Sequence, residues 1–190
     1  MHLIERRVPA TLPLEQRATS RYSRYHLADP YLRFYFRFIA PNITLVEQEL
    51  TVVLWQRMAE QFRAFVGLTA FEELCRAWVL AQARAGRLPF LPEIVGSHWS
   101  AVAQVDVVAL NWQEKQILLG ECKWGGGLVG RAVVRDLVNK ALLVVPARDW
   151  QVHFVCFARQ GFTAAAQSEA AAAGVQLVGL TQLDADLNYP

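Results

Sequence analysis

The chain has 190 residues, of which 54% are hydrophobic and six are Trp, a composition that excludes intrinsic disorder and suits one domain with an appendage. Only 19% of residues are charged and the net charge is +2, so bulk electrostatics do not mark a nucleic-acid binder. No apolar run approaches the roughly 18 residues of a membrane span and no signal peptide opens the chain, so a cytoplasmic protein with no membrane partner is expected. Cys75, Cys122 and Cys156 lie in apolar segments without zinc-ligand spacing and read as buried free thiols.

Residues 2–9 and 21–28 read as two strands of a long hairpin. Asp29-Pro30 then has the form of an N-cap followed by Pro at the first helical position, opening a helix that stops near Pro41-Asn42. Seven Arg interleaved with Tyr and Phe in residues 1–40 form either a phosphate-binding surface or a solvated face over an aromatic core. Residues 44–66 carry apolar side chains at helical spacing, and Gly67 is expected to end that helix. Thr69 can cap the next one, over 70–85, with Glu72 completing a capping box and Gly86 closing it. Residues 89–99 read as a strand interrupted at Gly96.

Residues 104–124, QVDVVALNWQEKQILLGECKW, form two apolar strands joined by a polar turn, and strands so apolar are normally buried on both faces. Asp106, Glu121 and Lys123 interrupt them. Alternation puts Glu121 and Lys123 on one face and Cys122 and Trp124 on the other. A turn centred between Gln113 and Glu114 sets Asp106 opposite Glu121, with Cβ atoms roughly 5 Å apart. Two carboxylates that close repel by about 3 kcal/mol at an effective dielectric near 20. A divalent cation would turn that repulsion into a site, and oxygen ligands suit Mg²⁺. The alternative is a buried salt bridge with Lys123. Sixteen Arg against three Lys single out a lysine inside an apolar strand.

Downstream, GGGLVG (125–130) is a flexible loop without the Lys-Ser/Thr ending of a P-loop, and no Walker motif occurs elsewhere. Residues 131–145 read as a helix whose cations are Arg131, Arg135 and Lys140. Residues 150–158 follow as a strand, then an Ala-rich helix closed by Gly174 and a last strand over 175–183. The order α-β-β-β-α-β-α-β predicts an α/β fold, a mixed sheet flanked by helices.

The Asp106, Glu121 and Lys123 pattern resembles that of the PD-(D/E)xK nuclease superfamily, in its Mrr and Holliday-junction-resolvase branch, with Val105 in place of the eponymous Pro. More closely, YHLADPYLRFYFRFIAPN (25–42), FEELCRAW (71–78), VDVVAL (105–110) and LLGECKW (118–124) resemble, in that order, the uncharacterised C-terminal domain of archaeal-type AAA+ ATPases. The resemblance implies a restriction-endonuclease-like sheet over residues 68–190, a linking helix over 43–67, and over 1–42 a winged-helix remnant of β-hairpin plus helices. The recognition helices of a winged helix are missing, which suggests that Met1 marks a truncation.

As implied by the resemblance, Asp106, Glu121 and the backbone carbonyl of Cys122 would hold Mg²⁺ or Mn²⁺, and Lys123, its pKa depressed, would orient the attacking water. Glu72, or Glu73 beside it, would complete the site from the first core helix. Arg131, Arg135 and Lys140 are weaker candidates for DNA contact, against a solvated face. His98 is a candidate base, against a structural role, and Gln104 stands where many relatives carry Glu. The expected function is a Mg²⁺-dependent DNA endonuclease acting with an AAA+ ATPase partner or a missing fused ATPase domain. The alternative is an inactive nuclease-like module that binds DNA or a partner and regulates an ATPase; residues 1–66 could also form a homodimer.

Overall fold

The computed structural model describes residues 3–188; Met1, and with it the expected truncation, and His2, part of the expected first strand, lie outside it, as do Tyr189 and Pro190. In the N-terminal part, β1 (Ile4–Arg7) pairs antiparallel with β2 (Arg24–Leu27), and the connection contains a helical turn, α1 (Leu14–Arg17). The Asp29 carboxylate accepts from the backbone N–H groups of Tyr31 and Leu32, and Pro30 opens α2 (Pro30–Phe34). This helix does not stop at Pro41. It continues through a π-helical turn at Tyr35–Ile39 and a 3₁₀ turn at Ala40–Asn42 into α3 (Ile43–Glu47).

The helix expected over 44–66 is divided. Glu49, at φ 58°, separates α3 from α4 (Thr51–Phe65), and the backbone N–H of Leu50 donates to Leu45 across the break. Gly67 does not end α4. The chain runs on through a second π-helical turn, Val66–Phe71, directly into α5 (Glu72–Arg84). There is therefore no capping box: the Thr69 hydroxyl donates back to the Phe65 carbonyl at 2.6 Å, and Glu72 sits inside a continuous helix. The glycine has a packing reason instead, because a Cβ at position 67 would come within 2.9 Å of the Trp124 Cβ.

The core is one five-stranded sheet, β3 (Ile94–Trp99), β4 (Gln104–Asn111), β5 (Gln116–Lys123), β6 (Gln151–Ala158) and β7 (Val175–Gly179), neighbouring in that order. The first three strands are antiparallel and the last two parallel, so the sheet is mixed. The parallel crossovers pass through α6 (Arg131–Val144) and α7 (Ala164–Ala173). The expected last strand stops at Gly179, and residues 180–188 form a further helix, α8 (Leu180–Asn188), which buries Leu183 and accepts the Trp78 indole N–H on Asp186 at 2.7 Å.

Both faces of the sheet are covered. Val105, Leu110, Ile117 and Leu119 pack toward Val134 and Leu137 of α6 and Ala166 and Ala170 of α7. Val107, Leu118, Val155 and Phe157 pack toward Phe71, Cys75 and Trp78 of the α5 side. Gly120 lies where β4, β5 and β6 approach most closely: an added Cβ would meet the Val107 Cβ at 2.8 Å and the Val155 Cγ1 at 3.1 Å. Gly120→Ala is expected to destabilise the protein by about 1–3 kcal/mol through overpacking, measurable as a lower urea midpoint at unchanged slope.

Several contacts fasten the N-terminal part to this core, among them two that involve charged or indole groups. Arg33 grips the Glu73 carboxylate through both oxygens at 2.8 Å, and Arg7 adds a third bond at 2.9 Å. The Trp99 indole N–H donates to the Tyr22 carbonyl at 2.9 Å. With Glu73 and both arginines at most about a quarter exposed, Glu73→Gln is expected to cost about 1–3 kcal/mol. The check is equilibrium denaturation of that variant beside Arg33→Lys.

Candidate functional site

The β4–β5 hairpin is symmetric about Gln113–Glu114. Val107 faces Gly120 and the ladder runs in step to Asn111 opposite Gln116. Asp106 lies one residue beyond the last paired position, and its Oδ2 accepts the backbone N–H of Cys122 at 2.9 Å. On its other side, β4 slips against β3: Gly96 pairs with Val108 but His98 with Val105, so two steps along β3 answer three along β4. Such a bulge bends a strand and re-aims its side chains. Here it flips the alternation, so that Val105 and Val107 pack on opposite faces of the sheet with Asp106 between them.

On β5 the alternation holds. Cys122 and Trp124 pack on the α5 side, while Glu121 and Lys123 meet α6. Glu121 is buried, and each of its carboxylate oxygens accepts an ammonium at 2.7 Å, Oε1 from Lys123 and Oε2 from Lys140. Lys140 is thus a full member of the cluster. Consecutive helical residues point about 100° apart, and Glu72 and Glu73 divide accordingly: Glu73 is held by Arg7 of the ribbon and Arg33 of α2, and Glu72 lines the cavity with Asp106.

The result is a cavity of about 660 Å³ whose walls include Glu72, Asp106, Glu121, Lys123 and Lys140, with Gly67 and Trp124 closing one side. Burial, and then the charge of Asp106, push the Glu72 carboxyl up to about 7. Arg76 opposes this only weakly, at 3.5 Å, because its guanidinium also donates to the Asp106 carbonyl at 3.0 Å. Asp106 is raised as well, by burial and by Glu121, with the Cys122 N–H working the other way. The depression expected for Lys123 rested on a nearby metal as well as low dielectric, and the protein groups alone act in the other direction. Burial is the largest single influence and disfavours its ammonium, but the bond to Glu121 together with the charges of Glu121 and Asp106 outweighs it and holds the pKa above the ordinary value.

Arg135 is exposed and pairs with Glu169 of α7 at 2.8 Å, outside the cavity, and Arg131 is exposed at the start of the same helix. His98 lies off the cavity, its Nδ1 bonded to the Thr11 hydroxyl at 2.7 Å. Gln104 lines the wall beside Asp106. All three cysteines are free, and burial raises the Cys156 thiol to about 12, so it is inert. Cys122 is only partly buried, but its thiol too is raised, first by burial.

As to metal, no three His, Cys, Asp or Glu side chains among the described residues are grouped closely enough to hold an ion by themselves. The donor set expected from the resemblance is two carboxylates and a carbonyl, those of Asp106, Glu121 and Cys122. That set fits a hard cation which keeps several waters, as Mg²⁺ does. The Asp106 and Glu72 carboxyls are raised first by burial and then by a neighbouring carboxylate, and a cation beside them would favour their ionised forms.

The profile of DUF234, described as archaea bacterial proteins of unknown function, matches residues 35–133, which run from the helices after the ribbon through the whole β4–β5 hairpin to the start of α6. The chain is also 29% identical over 147 residues to Uncharacterized protein MJECL04 of Methanocaldococcus jannaschii. That match takes in 76% of this chain but 32% of the relative, so the chain spans about a third of the relative's length. No solved structure gives a significant match. No helix among the described residues is long and apolar enough to cross a membrane.

Proposed function

The chain belongs to the DUF234 family of archaeal and bacterial proteins of unknown function, and from that premise we propose that it is a Mg²⁺-dependent DNA endonuclease with a restriction-endonuclease-like core. The observation that carries this reading is the meeting of Glu72, Asp106, Glu121 and Lys123, from α5, β4 and β5, on one cavity. The element order α5-β3-β4-β5-α6-β6 around the mixed sheet supports it.

In this reading Asp106, Glu121 and the Cys122 carbonyl hold the cation. Bound there, Mg²⁺ supplies a Lewis acid for a phosphodiester oxygen and a water of lowered pKa. Lys123, on the face of Glu121 and half-exposed to the cavity, offsets charge on the phosphate and orients the attacking water. Glu72, with a carboxyl near neutrality, is suited to take the proton from that water. Lys140 holds the second Glu121 oxygen and with it the orientation of the carboxylate.

One observation favours a second reading. Glu121 is already neutralised by two lysines, a cluster that stands without a cation, as an inactive module binding DNA or a partner would have it. An AAA+ ATPase module is the partner we propose for either reading, in keeping with a relative more than twice as long. A homodimer through residues 1–66 is the further proposal, supported by exposed Val52 and Trp55 on α4.

Calorimetric titration of Mg²⁺ and Mn²⁺ into wild type and Asp106→Asn, beside nicking of supercoiled plasmid, separates the two. The nuclease reading expects metal binding and nicking in wild type and neither in the variant. Absence of metal binding at millimolar concentration in wild type would leave the module.

A further inference from the structure

A second cavity, of about 200 Å³, adjoins the first across a common wall that includes Glu72, Gln104 and Asp106. Its other walls come from the ribbon (Arg7, Arg24 and His26), from Arg33 of α2, from Arg76 of α5 and from His98 and Trp99 of β3. Four guanidinium groups therefore surround a space large enough for a phosphate with its sugar and too small for a duplex to pass through. Against them stand Glu73, shared between Arg7 and Arg33, Glu5, which also pairs with Arg7 at 2.8 Å, and the two carboxylates of the common wall, of which Glu72 faces Arg76. The surplus lies on the ribbon side, where Arg24 stacks over the Trp99 ring at 4.6 Å and makes no ion pair among the described residues.

Two buried donors in these walls also lack acceptors. Arg33 uses its terminal nitrogens on Glu73 and leaves Nε without a partner. His98 is bonded through Nδ1 to Thr11, and its Nε2 has none. In the tautomer whose Nδ1 accepts from the Thr11 hydroxyl, Nε2 carries the ring hydrogen and is a free donor, and that tautomer is the one a phosphate would select. Unpaired buried donors are costly, and structures normally satisfy them with protein, water or ligand.

We propose that this cavity binds the terminal phosphate of a DNA strand, so that the protein binds most tightly beside a strand end. This rests on the nuclease reading for its substrate, and it deepens that reading by naming an end, nick or gap as the feature sought. A terminal phosphate suits the cavity better than an internal one, because a continuing backbone needs a second opening past the ribbon. Arginine geometry suits a phosphate dianion, which accepts paired hydrogen bonds.

The test is equilibrium binding, in EDTA, of short duplex oligonucleotides that differ only in carrying a 5′-phosphate, a 3′-phosphate or hydroxyl ends. A chelated buffer stops cleavage, so the outcome does not depend on whether the protein is a nuclease. Wild type is expected to bind one phosphorylated end about tenfold more tightly, the worth of one charge-assisted hydrogen bond. Arg24→Ala, an exposed position whose loss leaves the Glu73 ion pairs intact, and His98→Gln are each expected to remove that preference. A melting curve matching wild type certifies their folds. Equal binding of all ends by wild type overturns the proposal, as does a preference that survives both substitutions. So does equal competition by a closed single-stranded circle, which offers internal phosphates only, or by a free mononucleotide. Plasmid cleavage in Mg²⁺ with no end preference would refute the subsite and leave the nuclease standing; an end preference with no cleavage of either supercoiled or pre-nicked plasmid would do the reverse.

Discussion

Replacing Lys123 by methionine is expected to lower plasmid nicking by about 10²–10³-fold, the usual worth of a positioned catalytic group, while Mg²⁺ binding becomes tighter. Both oxygens of Glu121 are engaged by ammonium groups at 2.7 Å. A cation drawn to Glu121 must therefore compete with Lys123 and Lys140, and deleting either lysine removes a competitor. At effective dielectrics near 20 the gain is reduced by solvent, because the Lys123 side chain is 42% exposed, and about tenfold in affinity is expected. Lys140→Met should tighten binding by a similar factor, yet lower nicking far less. Lys140 comes from α6 and steadies the carboxylate, whereas Lys123 shares the strand and face of Glu121. Calorimetry and nicking on the same two preparations check this. Weaker Mg²⁺ binding in both variants would mean that the lysines hold Glu121 in place for the metal, and equal losses of nicking would remove the distinction between them.

What could be read from the sequence follows from how local each cause is. The hairpin register was legible because it depends on alternation and on one polar turn, and it brought Asp106 to Cys122 and Glu121 to Lys123. The bulge at Asp106 was not, since the break in the alternation arises from the pairing of β4 with β3, a strand whose own register no local signal reveals. Gly67 was misread for a similar reason. A glycine after a long amphipathic helix is an ordinary stop signal, but here it makes room for Trp124, 57 positions away in the chain, and the helix passes through. That passage decides the role of Glu72, which a stop at Gly67 would have spent on a cap. Two misses had usable signals. Arg131 and Arg135 are four apart and share a helix face, whereas Lys140 is five beyond Arg135 and turns well away from it; the three did not belong together. Leu180, Leu183 and Leu187 have helical spacing, which distinguishes α8 from a continued strand.

The second large effect concerns stability, and its sign is opposite to that of most substitutions. The Glu72 carboxyl is raised from an ordinary 4.5 to about 7, chiefly by burial and then by the charge of Asp106. Its side chain is 18% exposed, so solvent screens it little. With the folded-state pKa above the unfolded one, the folded protein holds a proton that the unfolded chain releases between pH 4.5 and 7. Stability therefore falls as pH rises through that window, and the deficit, about 3 kcal/mol for the full shift, is complete above pH 7. Glu72→Gln keeps the shape and removes the charge. The variant is expected to match wild type near pH 4.5 and to exceed it by about 2 kcal/mol at pH 8, or roughly 5 °C in Tm. Urea unfolding of both proteins at the two pH values is the measurement, and a difference that does not change with pH would show that Glu72 is not strained. Millimolar Mg²⁺ at pH 8 adds a further arm. A cation held by Asp106 and Glu121 lowers the cost of an ionised Glu72, so wild type should gain more from Mg²⁺ than the variant does, and the gap between them should narrow. A strained carboxylate that destabilises the empty protein and is relieved by the ion is what a site selected for chemistry looks like; a pair selected only for structure would have no reason to keep it.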